Sequence, residues 1–369
     1  MKKILFVFGT RPEAIKLAPV IHACYQYDNL NVKICLSGQH KEMLHQVMDF
    51  FGLKADYNLE LMKPNQTLFD ITADGLRLIE NVLNEFEPDL VIVQGDTTTT
   101  FVAALAAFYK KIKIAHVEAG LRSFNKYSPF PEEVNRKMTS TITDLHFAPT
   151  QKAVDNLYNE NIRSNIFLTG NTVIDALLWA VDKVRNDNSY QNLFNDIDLN
   201  KKTILITGHR RESFGKPFEN ICNAITILAE KYTEAQFIYP VHLNPNVQKI
   251  VHEKLAGYRN IFLITPLDYP HLVWLMDKCY FVITDSGGIQ EEAPSLGKPV
   301  LVIRDVTERE EGIRAGTAIL VGTSAEKITK EAIRLMEDKV SYEKMSKAVN
   351  PYGKGDSAKI IADIILKTL

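Results

Sequence analysis

Cysteine is scarce in this chain: four among 369 residues, Cys24, Cys35, Cys222 and Cys279, with no CxxC or other metal-ligating spacing. No disulfide scaffold or zinc site is indicated, and buried free thiols in a reducing compartment are expected. An excess of charge of one sign is equally absent, since 43 basic and 45 acidic side chains leave a net charge of −2. That balance supplies no general attraction for nucleic acid or an anionic membrane, so any anion must be held locally. Long apolar runs are missing too. No stretch reaches the roughly 20 apolar residues of a membrane span. The opening "ILFVF" is too short for a signal-peptide core and ends at "GTRPEA", which reads as a first strand. A cytoplasmic protein is the expectation. Neither GxGxxG nor a Walker A sequence occurs, which removes support for nicotinamide and P-loop chemistry.

What is present is an ordinary globular composition, 46% hydrophobic and 24% charged, long enough for two domains with cores of their own. β-Branched runs alternate with segments of helical period: "ILFVF", "NVKICL", "DLVIVQ", "KIAHV", "LHFAP" and "NIFLTG", then "KTILIT", "AQFIYP", "NIFLI", "YFVITD" and "PVLVI". This rhythm predicts an α/β protein of two Rossmann-like, doubly wound parallel sheets, and nearly continuous apolar strands predict that both sheet faces are covered. The polar stretch at 182–202 reads as a surface connection. A hinge near Gly170 divides the chain into 1–169 and 170–354, and the closing "SAKIIADIILKTL" forms an amphipathic helix able to pack on either domain.

Ligands in open α/β sheets collect outside the carboxyl ends of strands. The first strand runs into "GTRPEAIK", where Gly9 permits a turn and Arg11 and Lys16 offer cations near an emerging helix. "DLVIVQ" ends in "GDTTTT", with Asp96 readable either as a helix N-cap or as a site acid. "KIAHV" ends in "EAGLRS", placing Glu118 at a buried strand end. In "YSPFPEEVNR", Glu132 stands at a helix start, where the dipole favours acids in any case. Asp96, Glu118 and Glu132 thus make three carboxylates at the mouth of one sheet, and crowding would tune them for proton transfer. In the second half, "GHRRESFG" brings His209 and Arg210 to a strand end as a phosphate site, while His242 in "YPVHLNP" reads as a turn histidine. "TDSGGIQEEAPSLGKPV" follows, and Ser286, Gly287 and Gly288 offer a hydroxyl and bare amides to a diphosphate. Glu292 would accept from a ribose diol, and Arg309 is a possible clamp.

Taken in order, "GTRPEAIK", "GDTTTT", "HVEAGLRS", "PEEVNR", "TGNTVIDAL", "GHRRESFG", "YPVHLNPNV", "TDSGGIQEEAPSLGKPVLV" and "NPYGKGD" closely resemble the bacterial non-hydrolysing UDP-N-acetylglucosamine 2-epimerases, from Gly9 to Asp356. The resemblance implies a two-domain fold like the type-B glycosyltransferases, a central cleft, and a C-terminal helix, 355–369, that packs back on the first domain. It implies reversible conversion of UDP-N-acetylglucosamine to UDP-N-acetylmannosamine for surface polysaccharide synthesis, with no redox cofactor and no metal. By the same resemblance Asp96, Glu118, Glu132 and His209 are catalytic positions. Arg11, Lys16, Leu267, Leu272, Ser286, Gly287, Gly288, Glu292 and Arg309 are substrate-binding ones. Some relatives have Phe where Leu272 stands, which removes aromatic packing on uracil, while the backbone of Leu267 can read the base edge. Gln39, Arg210 and His242 match a second site where UDP-N-acetylglucosamine acts as an activator, and a homodimer is implied. A glycosyltransferase of the same architecture, a hydrolysing epimerase and a non-catalytic UDP-sugar sensor are the competing expectations.

Overall fold

The computed structural model describes residues 1–38, 41–63, 65–198, 200–208, 210 and 215–369, the side chains of Lys41 and Glu42 excepted. His209 and Gln39 lie outside the described residues. Two compact units divide the chain, Met1–Ala176 with Gly353–Leu369, and Leu177–Tyr352. The boundary between them lies inside the helix Thr172–Arg185.

The first unit is built on strands β1 (Lys2–Phe8), β2 (Leu30–Leu36), β3 (Tyr57–Asn58), β4 (Leu90–Gln94), β5 (Lys113–Val117), β6 (Leu145–Ala148) and β7 (Ile166–Leu168). They pair in parallel in the order β3-β2-β1-β4-β5-β6-β7. The second unit repeats the plan with β8 (Thr203–Thr207), β9 (Gln236–Pro240), β10 (Ile261–Ile264), β11 (Phe281–Thr284), β12 (Val300–Val302) and β13 (Ala318–Leu320). Its order is β10-β9-β8-β11-β12-β13, again parallel. Each sheet therefore reverses its winding once, between β1 and β4 and between β8 and β11, and the crevice at such a reversal is where these folds bind ligands.

Ile4 to Phe8 and Leu90 to Val93 are wholly buried, as expected of central strands covered on both faces. Each such aliphatic side chain contributes about 1.5–3 kcal/mol by leaving water. The edge strands β3 and β13 are too short to carry a pattern, β13 lying in the four-residue apolar run 318–321, which has no alternation. The stretch at 182–202 is more than a surface connection. It folds into a 3-10 helix, Asn188–Phe194, whose Phe194 is buried and stacked on Trp274 with ring centroids 4.9 Å apart. Polar composition hid a single aromatic anchor. All four cysteines are free and buried, and among the described residues no helix is long and apolar enough to cross a membrane.

The helix Ser357–Thr368 belongs to the first unit, where Asp175 Oδ1 accepts the Ala358 N–H at 2.9 Å and Asp363 accepts the Tyr27 hydroxyl. Burial pushes the Asp175 carboxyl up from 3.8 to about 6, with Asp356 adding to the effect. The folded chain then holds a proton that the unfolded chain has released, so this stabilisation is full below 3.8 and lost as pH rises through about 6. Buried His116 and His146 act in the opposite sense. Burial lowers them from 6.5 to about 3 and about 4, so their stabilisation is full above 6.5 and lost as pH falls. Each group changes stability by at most about 1.4 kcal/mol per pH unit. Two histidines therefore outweigh one aspartate between about pH 4 and 6. Asp175→Asn, which keeps an acceptor for Ala358, is expected to steepen the loss of stability on acidification by about one proton. Urea midpoints across that range check it, and parallel curves for wild type and variant would refute it.

Candidate active site

In the first unit the turns after β1 and β4 are tied together by one buried side chain. Glu13, at the third position of the helix Arg11–Tyr25, accepts the Gly9 and Thr10 N–H groups at 3.0 and 2.7 Å and the Thr10 hydroxyl at 2.8 Å on Oε2. Its Oε1 takes the Thr97 and Thr100 hydroxyls at 2.7 and 3.1 Å. Burial still raises its pKa, the hydrogen bonds pulling the other way. The Thr10-x-x-Glu13 spacing is a capping-box signature and could have revealed the first half of this knot. The threonines could not be foreseen. Arg11 opens the same helix, half-buried.

Asp96 is not the N-cap of the following helix. Thr97 takes that role, accepting the Thr100 N–H at 3.2 Å, which leaves the Asp96 carboxylate for other partners. Its Oδ2 meets the Arg136 guanidinium, and its backbone carbonyl accepts Asn135 Nδ2 at 3.0 Å.

Glu118 sits one residue past β5 with φ +67, a left-handed conformation that a buried non-glycine residue adopts only under constraint. The constraint is visible. Lys16 Nζ lies 2.6 and 2.7 Å from its two oxygens, Gln94 donates to Oε2, and Asn171 donates to Oε1 at 3.4 Å. Beneath it, His116 is held neutral by burial and its Nε2 donates to the Gly95 carbonyl at 2.7 Å, steadying the turn that carries Asp96. Glu132 begins the helix Glu132–Ile142, and its Oε2 is buried with no hydrogen-bond partner among the described residues. The three acids thus stand at one sheet mouth, but Asp96 and Glu118 face cations rather than one another. The mutual crowding expected of them is replaced by Arg136 and Lys16.

In the second unit the turns after β8 and β11 are joined in a similar way. The Thr207 and Thr284 hydroxyls meet at 2.5 Å, and Asp285 Oδ2 accepts the Arg210 N–H at 2.8 Å. Ser286 caps the short helix Gly287–Glu292 without using its own hydroxyl in the cap. The two glycines have separate reasons. A Cβ on Gly287 would lie 3.3 Å from the Arg309 guanidinium carbon, so its absence makes room for that side chain, whereas Gly288 looks onto Glu292. Arg309 is no lone cation, since its Nε donates to Glu291 Oε1 at 2.8 Å. Glu292 Oε1 accepts the buried Tyr269 hydroxyl at 3.2 Å. Leu267 and Leu272 flank the start of the helix Tyr269–Lys278, both half-buried. His242 is exposed just past β9, its Nδ1 accepting the Asn244 N–H at 3.1 Å. Sequence reasoning passed over Glu13, Gln94, Asn135, Arg136, Asn171 and Tyr269, all of which orient a residue it had named.

Two parallel doubly wound sheets, each with its polar residues gathered at the winding reversal, define an α/β protein of the type-B glycosyltransferase-like class. A sucrose-phosphate synthase from Thermosynechococcus elongatus shares this fold at 10% identity, with a TM-score of 0.67 over 100% of this chain and 99% of that one. A sequence model of the UDP-N-acetylglucosamine 2-epimerase family matches residues 22–366, and the chain belongs to that family. It is 51% identical to the UDP-N-acetylglucosamine 2-epimerase of Campylobacter jejuni, covering 100% of this chain and 98% of the relative. It is 50% identical to that of Escherichia coli strain K12, covering 98% of each. A crystal structure of the Neisseria meningitidis UDP-GlcNAc 2-epimerase bound to UDP-GlcNAc superposes with a TM-score of 0.91 at 50% identity, over 99% of this chain and 100% of that one.

Proposed function

We propose that this chain interconverts UDP-N-acetylglucosamine and UDP-N-acetylmannosamine without hydrolysis. A base removes the C2 proton as the C1–O bond to UDP breaks, leaving 2-acetamidoglucal. UDP then adds back while a proton arrives on the opposite face of C2. The observation that carries this reading is Glu118, strained at φ +67 and bound by Lys16, Gln94 and Asn171 at the mouth of the first sheet. Three separate segments of the first unit supply those partners and hold the carboxylate in one place, as a proton-handling group requires. Two faces of C2 require two proton-handling groups, which we assign to Asp96 and Glu118, with Glu132 supporting the sugar. Arg11, His209 and the Ser286-Gly287-Gly288 turn receive the departing diphosphate, Glu292 and Arg309 hold the nucleotide, and Leu267 and Leu272 meet the base. In the same reading the enzyme works as a cytoplasmic homodimer, feeds surface polysaccharide synthesis, and is activated by a second UDP-N-acetylglucosamine at Gln39, Arg210 and His242. The free, buried cysteines support the reducing compartment.

The test follows the C2 hydrogen. In heavy water, with neither NAD nor metal added, the protein is expected to place deuterium at C2 of UDP-N-acetylmannosamine and, on reversal, of UDP-N-acetylglucosamine. Proton NMR reads the loss of the C2 signal. Epimerised product that keeps its C2 hydrogen would overturn the mechanism. Free N-acetylmannosamine as product would make the enzyme hydrolytic, and tight UDP-sugar binding without turnover would make it a sensor.

A further inference from the structure

Asp96 is gripped twice by consecutive residues of one helix. Asn135 Nδ2 holds its backbone carbonyl at 3.0 Å, and the Arg136 guanidinium binds carboxylate Oδ2. The other guanidinium nitrogen donates to Glu133 Oε2 at 3.0 Å. Glu133, itself buried, spends its two oxygens on the Ser123 and Phe124 N–H groups at 2.9 and 3.0 Å, anchoring the loop that leaves the Glu118 turn. The helix so engaged is the one that begins with Glu132. Arg136 thus links the β4 turn, through Asp96, to Glu133, which in turn holds the loop after β5. Asp96 Oδ1 makes no hydrogen bond among the described residues, so one oxygen is pinned and the other is left to act.

We infer that Arg136 is a positioning residue for the proton transfer: it fixes the rotamer of the Asp96 carboxylate relative to Glu132 and leaves Oδ1 directed for use. The inference rests on the assignment of Asp96 to proton handling. A planar guanidinium spans two carboxylates in a fixed fork, which an ammonium on a flexible stem does not reproduce. A displacement of about 1 Å at a reacting group costs on the order of a hundredfold in rate.

The experiment is a double-mutant cycle on the full chain. Arg136→Met is expected to lower kcat by about 30- to 100-fold, with KM for UDP-N-acetylglucosamine changed less than about threefold. Arg136→Lys should recover only a small part of the loss, and methylguanidinium added to Arg136→Ala should recover more. In an Asp96→Asn background, Arg136→Met should cost no further activity, because the residue acts through Asp96. Melting curves and UDP binding establish that each variant is folded, and Arg136→Lys serves if Arg136→Met is not. Wild-type turnover in Arg136→Met, or losses that multiply in the double variant, would overturn the inference while leaving the epimerase reading intact. Absence of epimerisation by the wild type would instead remove that reading itself.

Discussion

Glu118→Gln is expected to lower kcat by more than about a hundredfold while UDP still binds, the scale on which general acid–base groups contribute. The substitution keeps the shape but not the chemistry. Three donors converge on the Glu118 carboxylate from Lys16, Gln94 and Asn171, and an amide supplies one acceptor oxygen where the acid supplied two. A flip of the Gln94 amide can absorb the mismatch, so the fold tolerates the change, whereas an amide cannot take a proton from C2. Asp96→Asn should behave alike, its carboxamide still able to accept from Arg136. Arg309→Ala is the converse control: it should weaken UDP binding first, as the loss of a nucleotide contact must. Rapid-quench or coupled assays for kcat and titration calorimetry for UDP separate the two effects. Wild-type-like turnover in either acid variant, shown free of contaminating enzyme, would take that residue out of the mechanism.

Gly120→Ala should be severely damaging, costing more than about 4 kcal/mol, the range reserved for a steric conflict with no escape. Gly120 has φ +88, and an added Cβ would lie 2.2 Å from the Ala153 carbonyl oxygen and 2.8 Å from its carbon. Both contacts are backbone, and the helix Gln151–Asn159 that carries them is pinned to this turn by Asn156 Nδ2, which donates to the Gly120 carbonyl at 2.9 Å. Relief would have to displace the helix or the turn, and the turn holds Glu118. Gly257→Ala is the matched control, since a Cβ there meets nothing within 4 Å and its φ is ordinary. Urea unfolding of both variants decides the matter. A Gly120→Ala protein within about 1 kcal/mol of wild type would show that the close approach of turn and helix is not constraining.

Much of this is legible in the sequence. A strand followed by a turn and a helix is a local pattern, so "DLVIVQ", "KIAHV" and "YFVITD" announced both the strands and the residues at their carboxyl ends. Asp96, Glu118 and Ser286 to Gly288 were found in that way, and Glu132 as the start of a helix. The short edge strands β3 and β13 escaped because two or three residues carry no period. The aromatic anchor Phe194 escaped because the stretch around it is rich in Asn and Asp.

Local pattern, then, determined the α/β class, the strand-end positions of Asp96 and Glu118, and the absence of a dinucleotide fingerprint from the sequence. Partnership belonged to the tertiary structure alone. Lys16 meets Glu118 across 102 residues, Glu13 meets Thr97 across 84, and Arg136 meets Asp96 across 40. These meetings follow from the order β3-β2-β1-β4-β5, which sets the first strand beside the fourth, and sheet order leaves no mark in any window of neighbouring residues. It is chosen by the sum of many weak burial and pairing energies over the whole unit. For that reason the chain could name Glu118 and Lys16 separately but not their pairing, and it did not single out Arg136 at all.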